Sequence, residues 1–355
     1  MNIYVLNQSF EIIAIIDEYE SVIWTTRYFT YGDFELYLSA DNNLMDLLQI
    51  GNYLVRDKDV NGAIYQNVMI IRNLEITTDA EDGDHLIVTG YDLKSILNRR
   101  IIPEQTNLYG NVDALMQNLV YTEIINPSIA ARQISNFIAG VNEIQTVYTM
   151  RQQITGKNLG EIMTKISTAY GYGYDVYIDN GNFVFYVYEG ADRSYNQNAN
   201  PYVVFSNNYG NLLSSDYVIN NDNFANVAVV AGEGEGTARK KVTVGNASGL
   251  ERYEVWIDSR NTSSDDGTIS EDEYLELLTQ EGVESLSEME TTTTFSGEID
   301  DSTNYTINVD YFLGDIVQIE NDYGIQATTR IVEIIESEDD TGSSVIPTFA
   351  EMEVQ

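Results

Sequence analysis

Alternation of apolar and polar residues with a period of two runs through the first part of the chain and predicts strands there. It is clearest at residues 34–38, which follow the β-branched run 22–26 around Trp24. Such alternation is typical of a strand with one buried face. Because Gly32-Asp33 supplies turn chemistry between the two runs, the pattern predicts a hairpin with Trp24 in a core.

Turn signals divide the rest of residues 1–100 into further strands. An opening hairpin is predicted around residues 7–9, and Asn61-Gly62 is the strongest short-range hairpin signal. It predicts a long strand over residues 63–78, which a second turn joins to a strand over residues 85–91. We expect these strands to form one antiparallel β-barrel over residues 1–100.

From residue 101 a helical period of 3.6 replaces the alternation. Apolar residues mark one face of a helix over residues 112–120 and one face of another over residues 159–170. A hairpin over residues 174–188 follows, whereas residues 126–140 fit a helix or a loop equally well. We predict a small α/β module over residues 101–200.

Strand patterns return over residues 201–355, and the end of the chain repeats an order of parts seen near the start. A strand led by Gly51, a turn, a long strand, a turn and another strand recur as the segment led by Gly314. We interpret this as a duplication, with a second barrel over residues 201–355 and an acidic helical insertion around residues 270–288. The predicted fold class is mainly β with an α/β insertion: two similar antiparallel β-barrels plus a small helical module.

Composition agrees with this fold class and narrows the function. The chain has 26 Tyr, 11 Phe and only 4 Pro, which favours sheet over helix bundles. With 56 acidic against 18 basic residues the formal net charge is −38, so general affinity for nucleic-acid phosphates or anionic lipid is not expected. No apolar run reaches the length of a membrane span, and no basic region precedes an apolar one at the N-terminus. The sequence therefore predicts neither a transmembrane helix nor a signal peptide.

Candidate chemistry is sparse. The absence of Cys removes disulfides, thiolate catalysis and Cys-bound metals, and the single His85 stands where a turn enters a strand. Neither a Gly-x-Ser-x-Gly elbow nor a His-Glu-x-x-His motif is present. A pair of carboxylates would suffice for a glycosidase, but 56 candidates offer no choice among them. We predict a protein that is not an enzyme, with no catalytic residue, cofactor site or metal site.

Residues 262–273 resemble a calcium-binding EF-hand loop in part, through Asp266, Gly267, Ile269 and Glu273. The first position is Thr262, where a carboxylate is needed, and a predicted strand enters the loop where the EF-hand has a helix. Ser270 with Glu273 also forms a capping box, which accounts for Glu273 without a metal. We therefore expect the start of a helix here, and calcium binding near residues 266–273 is left to experiment.

The glycine-rich segment 233–236 follows a predicted strand. A phosphate-binding loop needs an apolar periodic helix behind it and a Lys-Ser/Thr pair, and neither is present. Two carboxylates in the segment would also repel a phosphate. We expect a hairpin tip.

Several short motifs, in order along nearly the whole chain, resemble one family. They are residues 24–28, 32–36, 88–97 with Arg99-Arg100, 155–159, 188–194, 249–254 and 313–317. In these the sequence resembles the tail-tip or baseplate hub proteins of phages, above all the tail-associated hub of siphophages. Each motif is structural and none is catalytic.

The resemblance implies a homotrimer in which two barrels per subunit form a ring of six, between a sixfold tail tube and a threefold fibre or spike. The implied partners are further copies of the chain, a distal tail protein or tail tube, a tape measure protein and a receptor-binding or spike protein. DNA would pass through the channel without specific binding, along a wall that we expect to be rich in carboxylates. The implied location is the tail tip or baseplate of the virion, after synthesis in the host cytoplasm. Many relatives carry a C-terminal hydrolase or receptor-binding part, which we expect on another chain.

Two other classes of function remain open at this level. A carbohydrate-binding or host-adhesion module predicts that the isolated chain binds glycans. A carboxylate-based cell-wall hydrolase predicts that the chain degrades peptidoglycan.

Overall fold

The computed structural model of the protein describes residues 1–79, 83–214, 216–264, 267–296, 299, 305–324 and 326–350. Over these residues the chain forms 25 strands and four α-helices. None of the described helices is both long and apolar enough to cross a lipid bilayer.

The first part of the chain is built from nine strands and one short helix. They are β1 (Ile3–Leu6), β2 (Ile12–Ile16), β3 (Ser21–Arg27), β4 (Asp33–Ser39), α1 (Asn42–Leu47), β5 (Tyr53–Arg56), β6 (Val60–Asn61), β7 (Ile64–Tyr65), β8 (Met69–Asp79) and β9 (Gly83–Asp92). Trp24 is fully buried, as the alternating pattern predicts, in a core with Phe34, Leu36 and Val88. The order of pairing is β3-β4-β9-β8-β5-β1-β2, and we call these seven strands the first strand group.

The predicted long strand over residues 63–78 is interrupted. Asn67 has a φ of +47°, and its side-chain amide donates to Asp59 at 2.8 Å. The break separates β7 from β8. The Asn61-Gly62 hairpin, β6–β7, forms as predicted but pairs with β15 (Gly173–Asp179) in the following module.

The middle of the chain contains two helices with short strands around them. They are β10 (Ile101–Ile102), β11 (Thr106–Asn111), α2 (Val112–Val120), β12 (Phe137–Ala139), β13 (Thr149–Ile154), β14 (Lys157–Asn158), α3 (Leu159–Tyr170), β15 and β16 (Asn182–Tyr188). Residues 126–140, for which sequence left helix or loop open, contain a 3₁₀ turn and β12, which pairs parallel with β16. The helices share one core with Leu6, Val55 and Leu97. The module is thus packed directly on the first strand group.

The last part of the chain contains nine strands and one helix. They are β17 (Val204–Ser206), β18 (Asp216–Asn220), β19 (Val227–Ala231), β20 (Lys241–Val244), β21 (Glu254–Asp258), α4 (Glu271–Ser287), β22 (Thr292–Ser296), β23 (Ile316–Glu320), β24 (Gln326–Asp339) and β25 (Gly342–Phe349). Six of these strands surround a core that includes Phe205, Tyr311 and Phe349. We call β17, β18 and β22–β25 the second strand group.

Three strands that the sequence places in the second barrel lie outside the second strand group. β20, β19 and β21 form a separate sheet, and Tyr274 and Leu278 of α4 pack on its Ala228 and Val230. Alternation identifies a strand but not the sheet to which it belongs, because sheet membership depends on contacts that are distant in sequence. The acidic helix around residues 270–288 forms where it was predicted.

The two strand groups repeat one hydrogen-bond pattern. Gly51 N–H donates to Ile71 O at 2.9 Å, and Gly314 N–H donates to Ile331 O at 2.8 Å. In return, Ile71 N–H donates to Asn52 O and Ile331 N–H donates to Asp315 O, each at 2.9 Å. Both glycines have positive φ, +92° and +96°. The segments led by Gly51 and Gly314 thus occupy equivalent places in two similar sets of strands.

A β-bulge strengthens this equivalence. The β8–β9 pairing shifts between Ile71 and Asn73, and the β24–β25 pairing shifts between Ile331 and Glu333. A bulge bends a strand and increases its twist at a fixed position. The long strands β8 and β24 therefore bend at equivalent positions.

Candidate assembly interface

One ladder joins the two strand groups into a sheet of 13 strands. β3 and β24 pair antiparallel from Arg27–Glu333 to Ser21–Asp339. The other edge of β24 pairs with β25 over the same residues, while its first half, up to Arg330, pairs with β23. We call the β3–β24 ladder the seam.

Buried charges lie at the middle of the seam. The Arg56 guanidinium bonds Asp59 at 2.5 Å and Glu336 at 2.7 Å, and it stacks 4.9 Å from the ring centroid of Trp24. Lys58 also contacts Glu336. Burial disfavours the charged form of Glu336, but Arg56 and Lys58 outweigh it and hold the pKa of this carboxyl below its usual value. The cluster ties β5 to β24, and thus the first strand group to the second.

The buried ring of Tyr28 connects three parts of the chain. Its backbone N–H donates to Val332 O at 2.8 Å, and its hydroxyl lies 3.1 Å from Gly171 O. Gly190 N–H donates to the same hydroxyl at 3.2 Å. The Arg330 guanidinium stacks on the ring at 5.2 Å from its centroid. Tyr28 thus fixes the module against both strand groups.

Asp315 anchors the end of the module to the second strand group. Its carboxylate accepts from Ala191 N–H at 2.7 Å and from Arg193 Nε at 2.6 Å, and also from Phe312 N–H at 3.0 Å. Two of the motifs on which the resemblance rests, residues 188–194 and 313–317, therefore lie in direct contact. Their shared role is to hold the module and the strands together.

β18 and β8 each leave a strand edge unpaired within the part of the chain that the structure describes. β18 ends the sheet and pairs with β22 on one edge only. Beyond Ile71, β8 pairs with β9 on one edge and has no ladder on the other. Apolar side chains on both strands are exposed: Ile76 by 46 %, Val218 by 44 % and Ile219 by 60 %. Unpaired edges of this kind are templates for pairing with another chain.

β2, at the opposite end of the sheet, is a third such edge. Ile12, Ile13 and Ile15 are exposed on it. The edges of β2, β8 and β18 are therefore candidate surfaces for pairing with another chain.

His85 is a hairpin residue, in agreement with the sequence. It lies on β9 with its Nδ1 2.9 Å from a Glu20 carboxylate oxygen, and its ring stacks on Tyr37. The glycine-rich segment 233–236 is a turn, in which Glu233 accepts from the backbone N–H and the hydroxyl of Ser264, each at 2.8 Å. This arrangement is a hairpin tip and not a phosphate-binding loop.

The capping box at the start of α4 forms as predicted. Ser270 Oγ accepts from Glu273 N–H, and the Glu273 carboxylate accepts from Ser270 N–H at 3.1 Å. The same carboxylate bonds Arg151 at 3.0 Å, and the segment before the loop is the strand β21. Asp266, the other carboxylate of the EF-hand comparison, lies outside the described residues. Over those residues, no group of three or more His, Asp or Glu side chains is placed to hold a metal ion.

Neither the edge of β8 nor the edge of β18 was expected from the sequence to be a candidate interface. A signal for β18 exists in the adjacent apolar pair Val218-Ile219, since two consecutive apolar residues in a strand point to opposite faces and one of them must leave the core. For β8 the signal is Ile76 among polar neighbours. Neither signal names a partner.

Comparisons with known proteins agree with the fold. The family model described as Siphovirus ReqiPepy6 Gp37-like protein matches residues 2–349. No protein with a curated description matches the sequence.

Three solved structures are similar over nearly their whole length. The tail protein from Neisseria meningitidis MC58 has 15% identity and a TM-score of 0.60, over 98% of this chain and 96% of that one. The 43 kDa tail protein of prophage MuSo2 from Shewanella oneidensis has 10% identity and a TM-score of 0.58, over 99% and 98%. The prophage tail protein gp18 from Listeria monocytogenes EGD-e has 12% identity and a TM-score of 0.54, over 98% and 94%.

The family match covers nearly the whole chain, and the mainly β architecture is shared with these tail proteins from end to end. Both findings agree with the resemblance to siphophage tail proteins. The chain therefore belongs to the siphovirus ReqiPepy6 Gp37-like protein family and has the fold of phage tail proteins.

Proposed function

We propose that this protein is a structural hub of a phage tail tip or baseplate. Three copies form a closed ring in which the two strand groups of each copy take alternate positions. The ring joins a sixfold tail tube above to a threefold fibre or spike below and leaves a channel for DNA. The observation that supports this is the repeated Gly51 and Gly314 hydrogen-bond pattern in two strand groups joined by a continuous ladder.

The stoichiometry follows from symmetry. A chain with one such strand group would need six copies to match a sixfold tube, whereas a chain with two similar groups needs three. Closure requires heterologous contacts, in which the first strand group of one copy meets the second strand group of the next. Such contacts also cover strand edges that would otherwise allow open-ended pairing.

The proposed partners are the distal tail protein or tail tube, the tape measure protein and a receptor-binding or spike protein. The proposed location is the tail tip of the virion, after synthesis in the host cytoplasm. The net charge of −38 suits a channel wall that repels the phosphates of passing DNA. In this role the protein holds other components in place and needs no catalytic group.

A reconstruction of the assembled tail tests the proposal. We expect three copies of this chain in one ring, with carboxylates in excess over Lys and Arg on the inner wall. Six copies in the ring would contradict the stoichiometry, and a wall lined mainly by Lys and Arg would contradict the proposed role of the charge. Release of muropeptides from peptidoglycan by the purified chain, abolished by one carboxylate substitution, would show it to be a hydrolase instead.

A further inference from the structure

We propose that β18 of one copy pairs antiparallel with the outer edge of β8 of the next copy, in a register that places Thr77 opposite Asp216 and Asn73 opposite Asn220. This inference rests on the proposed ring of three. It assigns the joint between copies to two specific strand edges, which bind each other without any other tail component.

The two strand groups correspond strand by strand from their bulges onward. The equivalent bulges match β8 to β24, and the ladders that continue from them match β9 to β25, β4 to β22 and β3 to β18. One row of paired residues crosses each group at equivalent positions: Asn73, Thr89, Glu35 and Ile23 in the first, and Glu333, Thr348, Ser296 and Asp216 in the second. Ile23 therefore corresponds to Asp216.

The cores support this correspondence. If Ile23 matches Asp216, then Trp24 matches Tyr217. Trp24 lies in the core of the first strand group, and Tyr217 packs against the core of the second. The two aromatic side chains thus point the same way in their groups, so β18 is to the second group what β3 is to the first.

The two strand edges that pair in the seam have unpaired counterparts elsewhere in the same copy. Within one copy, β3 pairs with β24 over residues 333–339. The equivalent edge of β8, residues 73–79, is the edge that has no ladder in the described part of the chain. β18, the equivalent of β3, is the strand at the end of the sheet. Each copy therefore contains one complete joint of this kind, the seam. It also carries, on β8 and β18, the two strand edges from which a second joint can form with neighbouring copies.

Side chains in the seam are buried, whereas their counterparts on the unpaired edges are exposed. Glu336, inside the seam, is 7 % exposed, whereas its counterpart Ile76 is 46 % exposed. Thr25 on β3 is 3 % exposed, whereas its counterpart Val218 is 44 % exposed. The exposed apolar side chains on the free edges stand at the positions where the seam buries Glu336 and Thr25. Pairing of the two edges would shield these apolar side chains from water.

The register of the seam gives the register of the proposed joint. Ser337 pairs with Ile23 there, so Thr77 meets Asp216. It follows that Ile76 meets Tyr217 and Leu74 meets Ile219 on one face of the ladder, while Glu75 meets Val218 on the other. No pair in this register brings two charges of the same sign together.

The end of the ladder is also complementary. In the seam, Arg27 bonds Glu333 at 2.5 Å. The counterparts at the proposed joint are Asn220 and Asn73, whose amides can donate and accept hydrogen bonds to each other. An ion pair in one joint is thus replaced by a matched polar pair in the other.

β2 competes for the same role, because its isoleucines are exposed. The internal repeat argues against β2, because the two strand groups differ beyond the equivalent strands β5 and β23. β1 pairs antiparallel with β5, whereas β17 pairs parallel with β23. β2 thus has no counterpart in the seam. β8 and β18 both have one.

Disulfide trapping tests the register, because the native chain contains no Cys. The matched variant carries Glu75→Cys with Val218→Cys, on the face of the ladder away from the cores. At about 1 mM chain, comparable to the effective concentrations of linked sites, we expect mild oxidation to convert most of it into a covalent trimer. The product is a trimer because each copy bonds both neighbours in a closed ring.

The control variant carries Thr77→Cys with Ile219→Cys. In the proposed register these positions are three residues apart along the strand, about 10 Å, and on opposite faces, which is too far for a disulfide. We expect it to remain mostly monomeric on a non-reducing gel. A third variant, Ile13→Cys with Val218→Cys, tests β2 as the partner of β18.

Each outcome decides the pairing separately from the stoichiometry. A matched variant that stays reduced, in a chain that sedimentation shows to be trimeric, would overturn the pairing and leave the ring of three intact. A chain that stays monomeric and uncrosslinked at about 1 mM would overturn the claim that the edges bind each other unaided. If the Ile13→Cys, Val218→Cys variant crosslinks in preference to the matched variant, β2 and not β8 is the partner of β18. Six copies in one ring of the assembled tail would instead overturn the proposed ring of three.

Discussion

Tyr28 shows how single residues fix the relation between parts of this chain. A Cβ added to Gly173 would lie 2.3 Å from the Tyr28 ring, and one added to Gly314 would lie 2.2 Å from it. Both distances are far below van der Waals contact, so only glycine lets the backbone approach the ring. At Gly314 the left-handed φ also requires glycine.

The first prediction separates these two requirements at Gly314. Gly314→Ala adds both backbone strain and a clash with Tyr28, whereas Gly324→Ala adds strain alone, because Gly324 has a φ of +79° and no atom near its added Cβ. We expect Gly324→Ala to lower the free energy of unfolding by about 1 kcal/mol and Gly314→Ala by about 2 kcal/mol more. Urea unfolding measures both. Equal losses would mean that the Tyr28 contact is not tight.

The second prediction concerns Glu336 and pH. Its pKa is lowered in the folded state, so it stabilises the fold fully above the unfolded pKa of a glutamate, about 4.3, and this contribution is lost as the pH falls through the lower folded pKa. Glu336→Gln leaves Arg56 short of a charge in a buried site, and we expect a loss of about 3 kcal/mol at pH 7.

Urea unfolding of wild type and Glu336→Gln between neutral and acidic pH tests this dependence. The two stability curves should converge as the pH falls, because the wild type loses its advantage on protonation. The same substitution at the exposed Glu35 controls for the change in net charge and should show no such convergence. A constant difference at every pH would show that the Glu336 charge is not responsible.

At the scale of elements, α4 is stabilised by its own first turn. The third prediction is that Ser270→Ala lowers the free energy of unfolding by about 1 kcal/mol, because it removes the hydroxyl that caps Glu273 N–H. Ser287→Ala, at the other end of the same helix, removes a hydroxyl that donates to Glu284 O and should have a smaller effect. Thermal unfolding of both variants measures the difference. Micromolar calcium binding that is lost in Glu273→Gln would contradict a purely structural role for Glu273.

Local signals predicted much of the fold. The β1–β2 hairpin, the buried Trp24, the helices of the middle module and the start of α4 all follow from alternation, helical period or capping residues. Sequence could not supply the sheet to which each strand belongs. The β6–β7 hairpin joins the sheet of the module, and β19–β21 form a sheet of their own. The Gly51 and Gly314 repeat was visible as an order of parts, but the free edges appear only when the ladders are traced residue by residue.

At the scale of the whole molecule, charge opposes assembly. Each copy carries a net charge of −38, so copies repel one another at low salt. The fourth prediction is that association of the isolated chain strengthens by about tenfold between about 0.01 M and about 0.15 M salt, as the Debye length falls from about 30 Å to about 8 Å. Sedimentation at both salt concentrations measures the dissociation constant. Weaker association at the higher concentration would indicate that attractive ion pairs dominate the joint instead.

The continuity of β24 has a mechanical consequence. Domains joined by a loop can swing, and relative motion is their default. Here seven residue pairs of the seam connect the two strand groups, and a force that slides one group along the other loads all of these rungs in shear at the same time. We therefore expect the two strand groups of one chain to respond to such a force as a single body. If the protein serves in a ring as proposed, any change of shape on attachment to a cell has to occur between copies or in the parts that surround the sheet.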